Sequence, residues 1–447
     1  KGWSFCGPDK KVIPVDVPHT WNNIDGQDGG NDYWRGSCTY TKTFARPDFD
    51  PAAQVVYLEF EGVNASADVT LNGQKVIHHD GGYSTFRADV TALLQDKNDL
   101  EVVADNSRND YVYPQKADFT FYGGIYRDAW LVVVSKDHFD MDYFGGPGFQ
   151  VTPTVDGKNG KVHVQSWTNV ENPEVVVTLT DAGGKTVASG KGTDLDLVIP
   201  GVHLWDGVED PYLYTATLQL VENGKPVDEV SCRFGVRSFR VDPKEGFFLN
   251  GRKYPLHGVS RHQDRRGIGN ALTKEMHKED MDLIREIGAN TIRLAHYQHA
   301  QYFYDLCDEY GMIVWAEIPY ISEHMPNGRD NTISQMKELI TQNYNHPSIV
   351  CWGVSNEITI STKDKADMLD NHRVLNDLCH EMDKTRPTTL ACYAMCGPFN
   401  KVAHITDLVS WNLYLGWYVP GLFLNDWWIN FFHLCYPNRC LGYSEYG

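Results

Sequence analysis

The stretch NTIRLAHYQHAQYFYDLCDEYGMIVWAEIP, residues 290–319, decides the fold of the second half of the chain. Its two apolar runs, NTIRLAHY and MIVWAEIP, are typical of buried strands. The segment between them, AQYFYDLCDEYG, has the amphipathic spacing of a helix. A strand, a helix and a second strand in this order indicate a parallel βαβ unit.

The same alternation extends outward on both sides, from about Phe247 to the last residue. Further strands are predicted in KYPLHGVSRH, SIVCWGVSNE, TTLACY, DLVSWNLY and CLGYSEYG, and further helices in TKEMHKEDMDLIREIG, ISQMKELITQNYN and ADMLDNHRVLNDLCHEMD. Seven such strands predict a (β/α)8 TIM barrel without its last βα unit, and hence a sequence truncated before the barrel closes. An open doubly wound sheet is the alternative, but no glycine-rich phosphate loop follows the first strand.

The first half of the chain has a different pattern. Short alternating runs such as VVYLEF, ADVTLNG, LEVVAD and AWLVVV, separated by Gly, Asn and Asp, predict a β-sandwich. A second set with hairpin turns at DAGGK and ENGK predicts a second, smaller sandwich. The predicted domains are residues 1–136, 137–240 and 241–447.

Composition restricts the partners and the compartment. A net charge of -19 opposes binding to nucleic acid or to an anionic membrane surface, so a small-molecule substrate is expected. No run reaches the ~18 apolar residues of a membrane span. The 10 cysteines lie mostly in apolar runs, which is typical of a reducing compartment, so a bacterial cytoplasmic location is expected. The sequence begins at Lys1 without Met, so a signal peptide that precedes Lys1 is the alternative to this expectation.

Two cysteine pairs are spaced closely enough to be considered as metal ligands or disulfides. They are Cys392 with Cys396, and Cys435 with Cys440. Neither pair has a His or further Cys at zinc-site spacing, so both are interpreted as thiols rather than as a metal site.

Chemistry in such barrels collects at the carboxyl ends of the strands, so these positions identify the candidate site. They are polar: Arg261 and His262, His296 and Tyr297, Glu317, Asn356 and Glu357, Asn412 and Tyr414, and Glu445. Glu357 and Glu445 suit glycosidic bond cleavage, in which one carboxyl group protonates the leaving oxygen and the other meets the positive charge that develops on the sugar. Proximity of the two charges also raises one pKa. Glu317 is expected to support these groups rather than to react.

Aromatic residues near the strand ends have two interpretations. Their rings could offer flat apolar faces to sugar rings, or they could simply pack in the barrel core. The residues are Trp352, Trp411, Tyr414, Trp417 and Tyr418.

Motifs along nearly the whole chain resemble glycoside hydrolase family 2, which includes β-galactosidases and β-glucuronidases. VPHTWN, GNDYWRGSCTYTKTF, VTLNG and FYGGIYRDAWLVV are similar to the sugar-binding jelly roll of the family, and HLWDGVEDPYLYTATLQL and FGVRSF to its immunoglobulin-like domain. LHGVSRHQD, IRLAHY, WGVSNE and SEYG are similar to its barrel motifs. All of these motifs occur in the order of the family, which makes the resemblance specific.

The resemblance implies a role for each matched residue. Glu357 would be the general acid/base and Glu445 the nucleophile of a retaining hydrolase of terminal β-glycosides, with carboxyl groups roughly 5 Å apart. The implied substrate-binding residues are Asp118, lent by the first domain, His262, His296, Asn356, which would bind the sugar 2-hydroxyl, Asn412, Tyr414, which would orient the nucleophile, and Trp417.

The resemblance leaves the sugar open. A β-galactoside is the first expectation and a β-glucuronide or β-galacturonide the alternative, because the family reads a uronic acid with a loop that lies beyond Gly447 in the chain. If the polypeptide truly ended at Gly447, it would instead be a non-catalytic carbohydrate-binding fragment. A homo-oligomer is expected from the habit of the family alone.

No cofactor is predicted, and a divalent cation near Glu357 is left open. Some β-galactosidases of the family hold magnesium with a Glu and a His two residues apart. Here Glu323 and His324 are adjacent, and adjacent side chains in an extended segment point in opposite directions.

Overall fold

A computed structural model describes residues 1–25 and 33–446. Within these residues the chain forms 28 strands and five α-helices, and the strands fall into two groups of antiparallel sheets followed by one parallel sheet. Residues 30–32 of the motif GNDYWRGSCTYTKTF and Gly447 of SEYG lie outside the described residues. The predicted order of two sandwiches and a barrel is confirmed, whereas the predicted domain boundaries stay predictions.

The first group of sheets is a β-sandwich. A six-stranded sheet in the order β2-β1-β3-β9-β6-β7 faces a three-stranded sheet β11-β4-β8, and β10 pairs with β5. Alternate residues of the long strands are buried between the sheets, for example Val69, Leu71, Val102 and Ala104. The strands are β1 Trp3–Cys6, β2 Val12–Val15, β3 Ser37–Ala45, β4 Gln54–Phe60, β5 Val63–Asn64, β6 Ser66–Leu71, β7 Gln74–Asp80, β8 Phe86–Asp89, β9 Lys97–Asp105, β10 Gly124–Ile125 and β11 Ala129–Ser135.

The second group is a smaller sandwich. Its sheets have the orders β12-β13-β16 and β15-β14-β17-β18, and a short sheet β19-β20-β21 follows. The strands are β12 Phe149–Asp156, β13 Asn159–Ser166, β14 Glu174–Thr180, β15 Thr186–Lys191, β16 Asp194–Ile199, β17 Tyr214–Glu222, β18 Lys225–Phe234, β19 Phe239–Asp242, β20 Gly246–Leu249 and β21 Arg252–Lys253.

The third part is the predicted barrel. Its strands are β22 Gly258–Arg261, β23 Thr291–Leu294, β24 Ile313–Glu317, β25 Ile349–Asn356, β26 Thr388–Tyr393, β27 Leu408–Asn412 and β28 Cys440–Glu445. The helices are α1 Lys274–Glu286, α2 Gln301–Tyr310, α3 Arg329–Asn343, α4 Lys365–Met382 and α5 Phe423–Cys435.

The seven strands follow one another in chain order, all parallel, from β22 to β28. The sheet curls far enough that the Ser260 hydroxyl on β22 lies 3.4 Å from the Ser444 carbonyl on β28. A doubly wound sheet would reverse its strand order at a switch point, so that alternative is wrong. The curled sheet matches a barrel with one unit missing.

Four predicted helices are present, and local signals explain their ends. The Thr273 side chain caps α1 by accepting from the Met276 N–H. Gly311 ends α2 with φ +72°, and a Cβ there would lie 2.0 Å from the Gly207 carbonyl oxygen, so the second domain packs where only glycine fits. The helix α5, between the last two strands, was not among the predicted helices, because apolar residues of FLNDWWINFFHLC such as Trp427 and Leu434 also occupy exposed positions.

The first sandwich is locked onto α3 of the barrel by buried hydrogen bonds. Glu338 on α3 accepts from the Ser84 hydroxyl and pairs with His79 Nε2 at 2.6 Å. The Tyr113 N–H donates to Asn331 Oδ1 at 2.9 Å. The last of these bonds belongs to the loop 106–123, whose Asp118 lines a cavity with residues at the carboxyl ends of the barrel strands. Across the described ranges, the helices are all too short or too polar to cross a bilayer.

Candidate active site

Glu445 lies at the end of β28, where the sequence places it, and is held at both carboxylate oxygens. Arg293 Nη1 donates to Oε1 at 2.7 Å, and the Tyr414 hydroxyl donates to Oε2. His296 Nε2 is 3.7 Å from Oε1. The side chain is 19% exposed, so it is still open to a ligand. The contact with Tyr414 is the one that the resemblance implies for a tyrosine that orients this carboxylate.

Arg293 connects the acids of the site, and the sequence analysis did not single it out. It lies inside the buried strand β23 and is 5% exposed. Besides Glu445, its guanidinium donates to both oxygens of Glu317, at 2.9 Å each, and to Asn356 Oδ1 at 2.8 Å. A charged residue between two apolar neighbours of a buried strand was the available signal, since such a charge needs a partner.

Glu317 is completely buried and supports this arrangement, as expected from the sequence. Burial alone would raise its pKa, but Arg293 and His296 outweigh burial and lower the pKa below its usual value. His296 Nδ1 is 2.7 Å from Glu317 Oε1, so this nitrogen carries the proton and Nε2 faces Glu445 as an acceptor or donor. The pair fixes the orientation of the ring.

Glu357 follows β25 with a backbone that turns out of the strand. Its φ is +48°, in the left-handed region, which costs a residue with a Cβ about 1–2 kcal/mol. Hydrogen bonds hold the turn: the Glu357 N–H donates to the Ala391 carbonyl at 2.8 Å, and the Ile360 N–H donates to the Glu357 carbonyl at 3.1 Å. The pairing of β25 with β26 also shifts register between Gly353 and Asn356. Such strain collects at functional sites because the surrounding structure must enforce it.

The environment of the Glu357 carboxyl group favours its protonated form. Burial raises its pKa, a hydrogen bond with Asn412 partly offsets that effect, and the charges of Glu445 and Asp118 raise the pKa further. The effect of the Glu445 charge on Glu357 indicates that the two acids lie near each other. Their predicted separation of roughly 5 Å stays a prediction.

Two amides connect the strand ends beneath these acids. Asn412 Nδ2 donates to Asn356 Oδ1 at 3.2 Å, and the Ser444 hydroxyl donates to Asn412 Oδ1 at 2.7 Å. Both amides are almost fully buried. They link strands β25, β27 and β28, so the relative positions of Glu357 and Glu445 depend on them.

His262 is a neutral imidazole at the end of β22. Burial, with the neighbouring His296, lowers its pKa to about 3. The Tyr297 hydroxyl accepts from the Gln263 N–H at 3.1 Å and lies 3.3 Å from His262 Nδ1. The tyrosine proton is therefore free to go to Nδ1, which leaves the histidine proton on Nε2.

Asp118 reaches the site from the first sandwich, as the resemblance implies. It lies on the loop above the barrel, and its charge helps to raise the pKa of both Glu357 and Tyr414. The next residue, Phe119, packs its ring 4.9 Å from the His262 ring. Lys116 Nζ donates to the Ser361 hydroxyl at 2.6 Å and so ties this loop to the segment that follows Glu357.

A cavity of about 1100 Å³ opens beside Glu445 and continues down the inside of the barrel, and Glu357, Asn356 and Asn412 are not among the described residues that line it. The candidate residues that line it are Asp118, His262, His296, Tyr414 and Glu445, together with Arg293. This volume is ample for a glycoside. The cavity therefore gathers residues from two domains and from strands that are far apart in sequence.

The aromatic residues separate into two groups. Trp352 and Trp411 are completely buried, so they pack the core, and their interpretation as sugar platforms is wrong. Trp417 and Tyr418 are 68% and 75% exposed. Trp417 is not among the described residues that line the cavity, so its contact with substrate stays a prediction.

Two places bear on a cation: the expected one at His324 and a cluster elsewhere in the barrel. Both ring nitrogens of His324 are engaged, Nδ1 with the Tyr320 hydroxyl and Nε2 with Asp367 Oδ2, at 2.6 Å each. Asp305, Asp308 and His346 offer ligand atoms within 4.8 Å of one another. That cluster lies near the amino end of β25, at the opposite end of the strand from Glu357, so it takes no part in this site.

The arrangement provides a carboxylate with fixed oxygens and a second carboxyl group that tends to keep its proton. The first is suited to attack and the second to proton donation. The buried Arg293, Asn356 and Asn412 supply fixed dipoles around both.

Comparison with known proteins matches most of the chain to one family. Family descriptions match in three consecutive parts: a glycosyl hydrolase 2 galactose-binding domain-like part over residues 26–124, a glycosyl hydrolases family 2 part over 147–237, and a glycosyl hydrolases family 2 TIM barrel domain over 240–447.

Several relatives are similar over most of the chain. A β-glucuronidase of Bacteroides fragilis is 38% identical over 97% of this chain and 65% of its own length. The crystal structure of an FMN-binding β-glucuronidase from Faecalibacterium prausnitzii L2-6 superposes with a TM-score of 0.97 at 43% identity, over 100% of this chain and 71% of that one. A putative β-galactosidase of Bacteroides fragilis gives 0.92 at 34% identity, over 100% and 70%.

The chain thus spans about two thirds of the length of these proteins. The matched parts follow the order of the two sandwiches and the barrel that carries the candidate site. The chain belongs to glycoside hydrolase family 2.

Proposed function

We propose that the protein hydrolyses terminal β-glucuronides with retention, with Glu445 as the nucleophile and Glu357 as the general acid/base. The observation that carries the proposal is the double anchoring of Glu445 by Arg293 and Tyr414, next to a second carboxyl group with a raised pKa. In a retaining hydrolase one acid attacks the anomeric carbon while the other protonates the leaving oxygen, and then the second acid activates water.

The order of the steps follows from the residues. Glu357 donates its proton to the glycosidic oxygen as Glu445 forms an ester with the sugar. Arg293 and Tyr414 hold the attacking oxygens in place without covalent change. Asn356 and His262 are proposed to bind sugar hydroxyls. No step needs a cofactor, and the FMN in the description of one relative has no part in this proposal.

The choice of sugar rests on the relatives rather than on the cavity. Two of the relatives described above are called β-glucuronidases and one a putative β-galactosidase, so the uronide alternative now ranks above the galactoside. Of the described cations that line the cavity, Arg293 is already paired with Glu317 and Glu445, and Lys253 lies at the other end of the barrel. A uronide carboxylate therefore finds no free cation beside Glu445 among the described residues.

Hydrolysis of matched nitrophenyl glycosides tests the sugar. With the full-length protein, we expect kcat/KM for the β-glucuronide to exceed that for the β-galactoside by about 10²-fold or more. The expectation requires contacts to the uronide carboxylate beyond those of the described cavity residues, because such contacts are left unpaired by a galactoside. The β-galacturonide is the third arm. A preference for the galactoside would overturn the choice of sugar but not the mechanism. No turnover of any β-glycoside would overturn the mechanism and favour the carbohydrate-binding alternative.

The pH profile tests the proposed roles separately. Attack needs ionised Glu445, and donation needs protonated Glu357. Because burial and the charge of Glu445 raise the pKa of Glu357 above 4.5, the proton stays on Glu357 at higher pH than usual, and activity is lost only as the pH rises through the raised pKa. We therefore expect the alkaline limb of kcat/KM to lie above pH 4.5 and to report Glu357. The same limb in Glu357→Ala, measured with an activated aryl leaving group, would contradict this assignment.

The cytoplasmic location and the homo-oligomer stay predictions from the sequence. Neither enters the mechanism proposed here.

A further inference from the structure

The turn that carries Glu357 is bordered on one side by the segment 320–324, which follows β24. The Ser322 N–H donates to the Asn356 carbonyl at 3.0 Å, and the Ser322 carbonyl accepts from the Ser361 N–H at 2.9 Å. Asn356 precedes Glu357 and Ser361 follows it, so a single residue of the segment binds the chain on both sides of the acid. The position of Glu357 therefore depends on how this segment is held.

A second link runs from the segment through a buried hydroxyl group. The His324 N–H donates to Thr362 Oγ1 at 2.9 Å, and the same hydroxyl donates its own proton to the Ile358 carbonyl. All three residues are buried, so water competes little for these bonds. Ile358 is the residue that follows Glu357, and the link thus closes the turn 358–362 from within.

The His324 ring has a partner on each of its nitrogens. The side chain is completely buried, with Nε2 2.6 Å from Asp367 Oδ2 and Nδ1 2.6 Å from the Tyr320 hydroxyl. Hydrogen bonds from His324 and Arg329 lower the pKa of Asp367, so Asp367 is a carboxylate that accepts the Nε2 proton. With the ring neutral, Nδ1 accepts from the Tyr320 hydroxyl. The Tyr320 carbonyl in turn accepts from the Asn356 N–H at 2.9 Å.

These bonds connect the turn at Glu357 to two helices. Asp367 lies in the first turn of α4, and Arg329, the first residue of α3, donates to Asp367 Oδ1. A side chain that is anchored on helices holds its geometry better than one on a loop. We call His324, Thr362 and Asp367 the His324 brace.

Backbone strain indicates that this contact has to be enforced. Glu357 and Ser322 both have a positive φ, +48° and +61°, although each carries a Cβ. They lie on the two sides of the contact between the segment 320–324 and the turn. Such conformations persist only where the surrounding structure over-determines them. The His324 brace supplies bonds on one side, and on the other the Ala391 carbonyl accepts from the Glu357 N–H at 2.8 Å.

We propose that His324 is a positioning residue: it holds the turn that directs the carboxyl group of Glu357 toward the leaving oxygen. This role presupposes the proposed function, in which Glu357 is the general acid/base. A proton donor must lie within about 2.6–3.2 Å of the atom that it protonates, so a small displacement of the turn weakens donation. Glu445 is held by Arg293 and Tyr414 instead, so its attack is affected less.

The test compares two leaving groups on the sugar that the full-length wild type prefers. In His324→Leu, kcat/KM for the methyl glycoside should fall by about tenfold or more, a part of the 10²–10⁴-fold that a general acid supplies. The nitrophenyl glycoside leaves without a proton, so its kcat/KM should fall by less than about threefold. The nitrophenyl-to-methyl ratio should therefore rise by about threefold or more. A variant that is merely less folded loses both activities equally and keeps the wild-type ratio.

Conservative variants separate the hydrogen bonds from side-chain bulk. In His324→Gln the amide can donate to Asp367 and accept from Tyr320, so the ratio should stay within about twofold of the wild type. Thr362→Val keeps the shape without the hydroxyl and should raise the ratio by about threefold or more, whereas Thr362→Ser should not. The Thr362 pair leaves His324 in place, so it decides the outcome if His324→Leu does not fold.

His138→Leu is the matched control. His138 is a buried histidine after β11, and its Nδ1 lies 3.0 Å from each of the Ser135 and Lys136 carbonyls. Its loss should leave the ratio at the wild-type value. A wild-type ratio in both His324→Leu and Thr362→Val, or an equal rise in His138→Leu, would overturn the positioning role.

Glu357→Ala, measured alongside, keeps this outcome apart from the proposed function. If Glu357→Ala raises the ratio and the two variants of the His324 brace do not, only the role of His324 is wrong. If Glu357→Ala also leaves the ratio unchanged, the acid/base assignment itself fails. Thermal melting of each variant reports its folded fraction.

Discussion

Replacement of Glu445 by Gln in the full-length protein is expected to lower kcat for β-glucuronide hydrolysis by about 10⁴-fold or more. The amide lacks the charge and the nucleophilic oxygen that form the glycosyl-enzyme ester, so the double displacement cannot begin. The fold should survive, because Arg293 keeps both of its hydrogen bonds to Glu317, at 2.9 Å each, when Glu445 loses its charge. Steady-state kinetics and thermal melting measure the two parts of this prediction.

The matched control is Glu279→Gln, the same chemical change on an exposed side chain of α1 that pairs with Arg265 at 2.6 Å. It should keep the wild-type kcat. A mechanism-based 2-deoxy-2-fluoro-β-glycoside should also leave its sugar on Glu445, visible by mass in the peptide CLGYSEYG. Label on any other residue, or a Glu445→Gln variant with a wild-type rate, would show that another group is the nucleophile.

The sequence predicted the parts of this site that are local in the chain. Each parallel strand ends where an apolar run meets polar residues, and the carboxyl ends of such strands share one edge. That geometry brings Glu357 and Glu445 to the same mouth, although 87 residues lie between them. The predicted strand ends at His262, Asn356 and Asn412 also match the structure, since β22, β25 and β27 end at or next to them.

The connections across the barrel were not predictable in the same way. Arg293 contacts Glu445 over a sequence separation of 152 residues, and neither strand alone shows the pairing. The left-handed backbone of Glu357 and the register shift beside it arise from the contact between β25 and β26. Trp352 and Trp411 were ambiguous, because a core and a sugar platform use the same aromatic side chains until burial is known.

The α5 helix shows a different failure. Helix prediction from sequence depends on the contrast between an apolar and a polar face. In Phe423–Cys435 the exposed Trp427 and Leu434 are as apolar as the buried Phe432, so the apolar residues do not mark the buried face. A segment of this kind is assigned by its place between two parallel strands rather than by its own pattern.

Replacement of Glu357 by Ala is expected to have an effect that depends on the leaving group. A general acid contributes about 10²–10⁴-fold, so kcat/KM for an alkyl β-glucuronide, whose leaving oxygen needs the proton, should fall by that factor. An activated nitrophenyl glycoside leaves without a proton, so its kcat/KM should fall far less. Its kcat should still drop, because Glu357 also activates the water that hydrolyses the glycosyl-enzyme.

Azide separates this role from a general loss of structure. A small anion attacks the glycosyl-enzyme on Glu445 without base assistance and enters the space left by the Glu357 carboxyl group. Azide should therefore restore kcat of Glu357→Ala on the nitrophenyl substrate by about tenfold or more and yield a glycosyl azide of retained β configuration. It should change neither the wild type nor Glu445→Gln. The acid/base assignment is wrong if the variant loses equal activity on both leaving groups and azide restores none, since that result describes a damaged site rather than a missing proton donor.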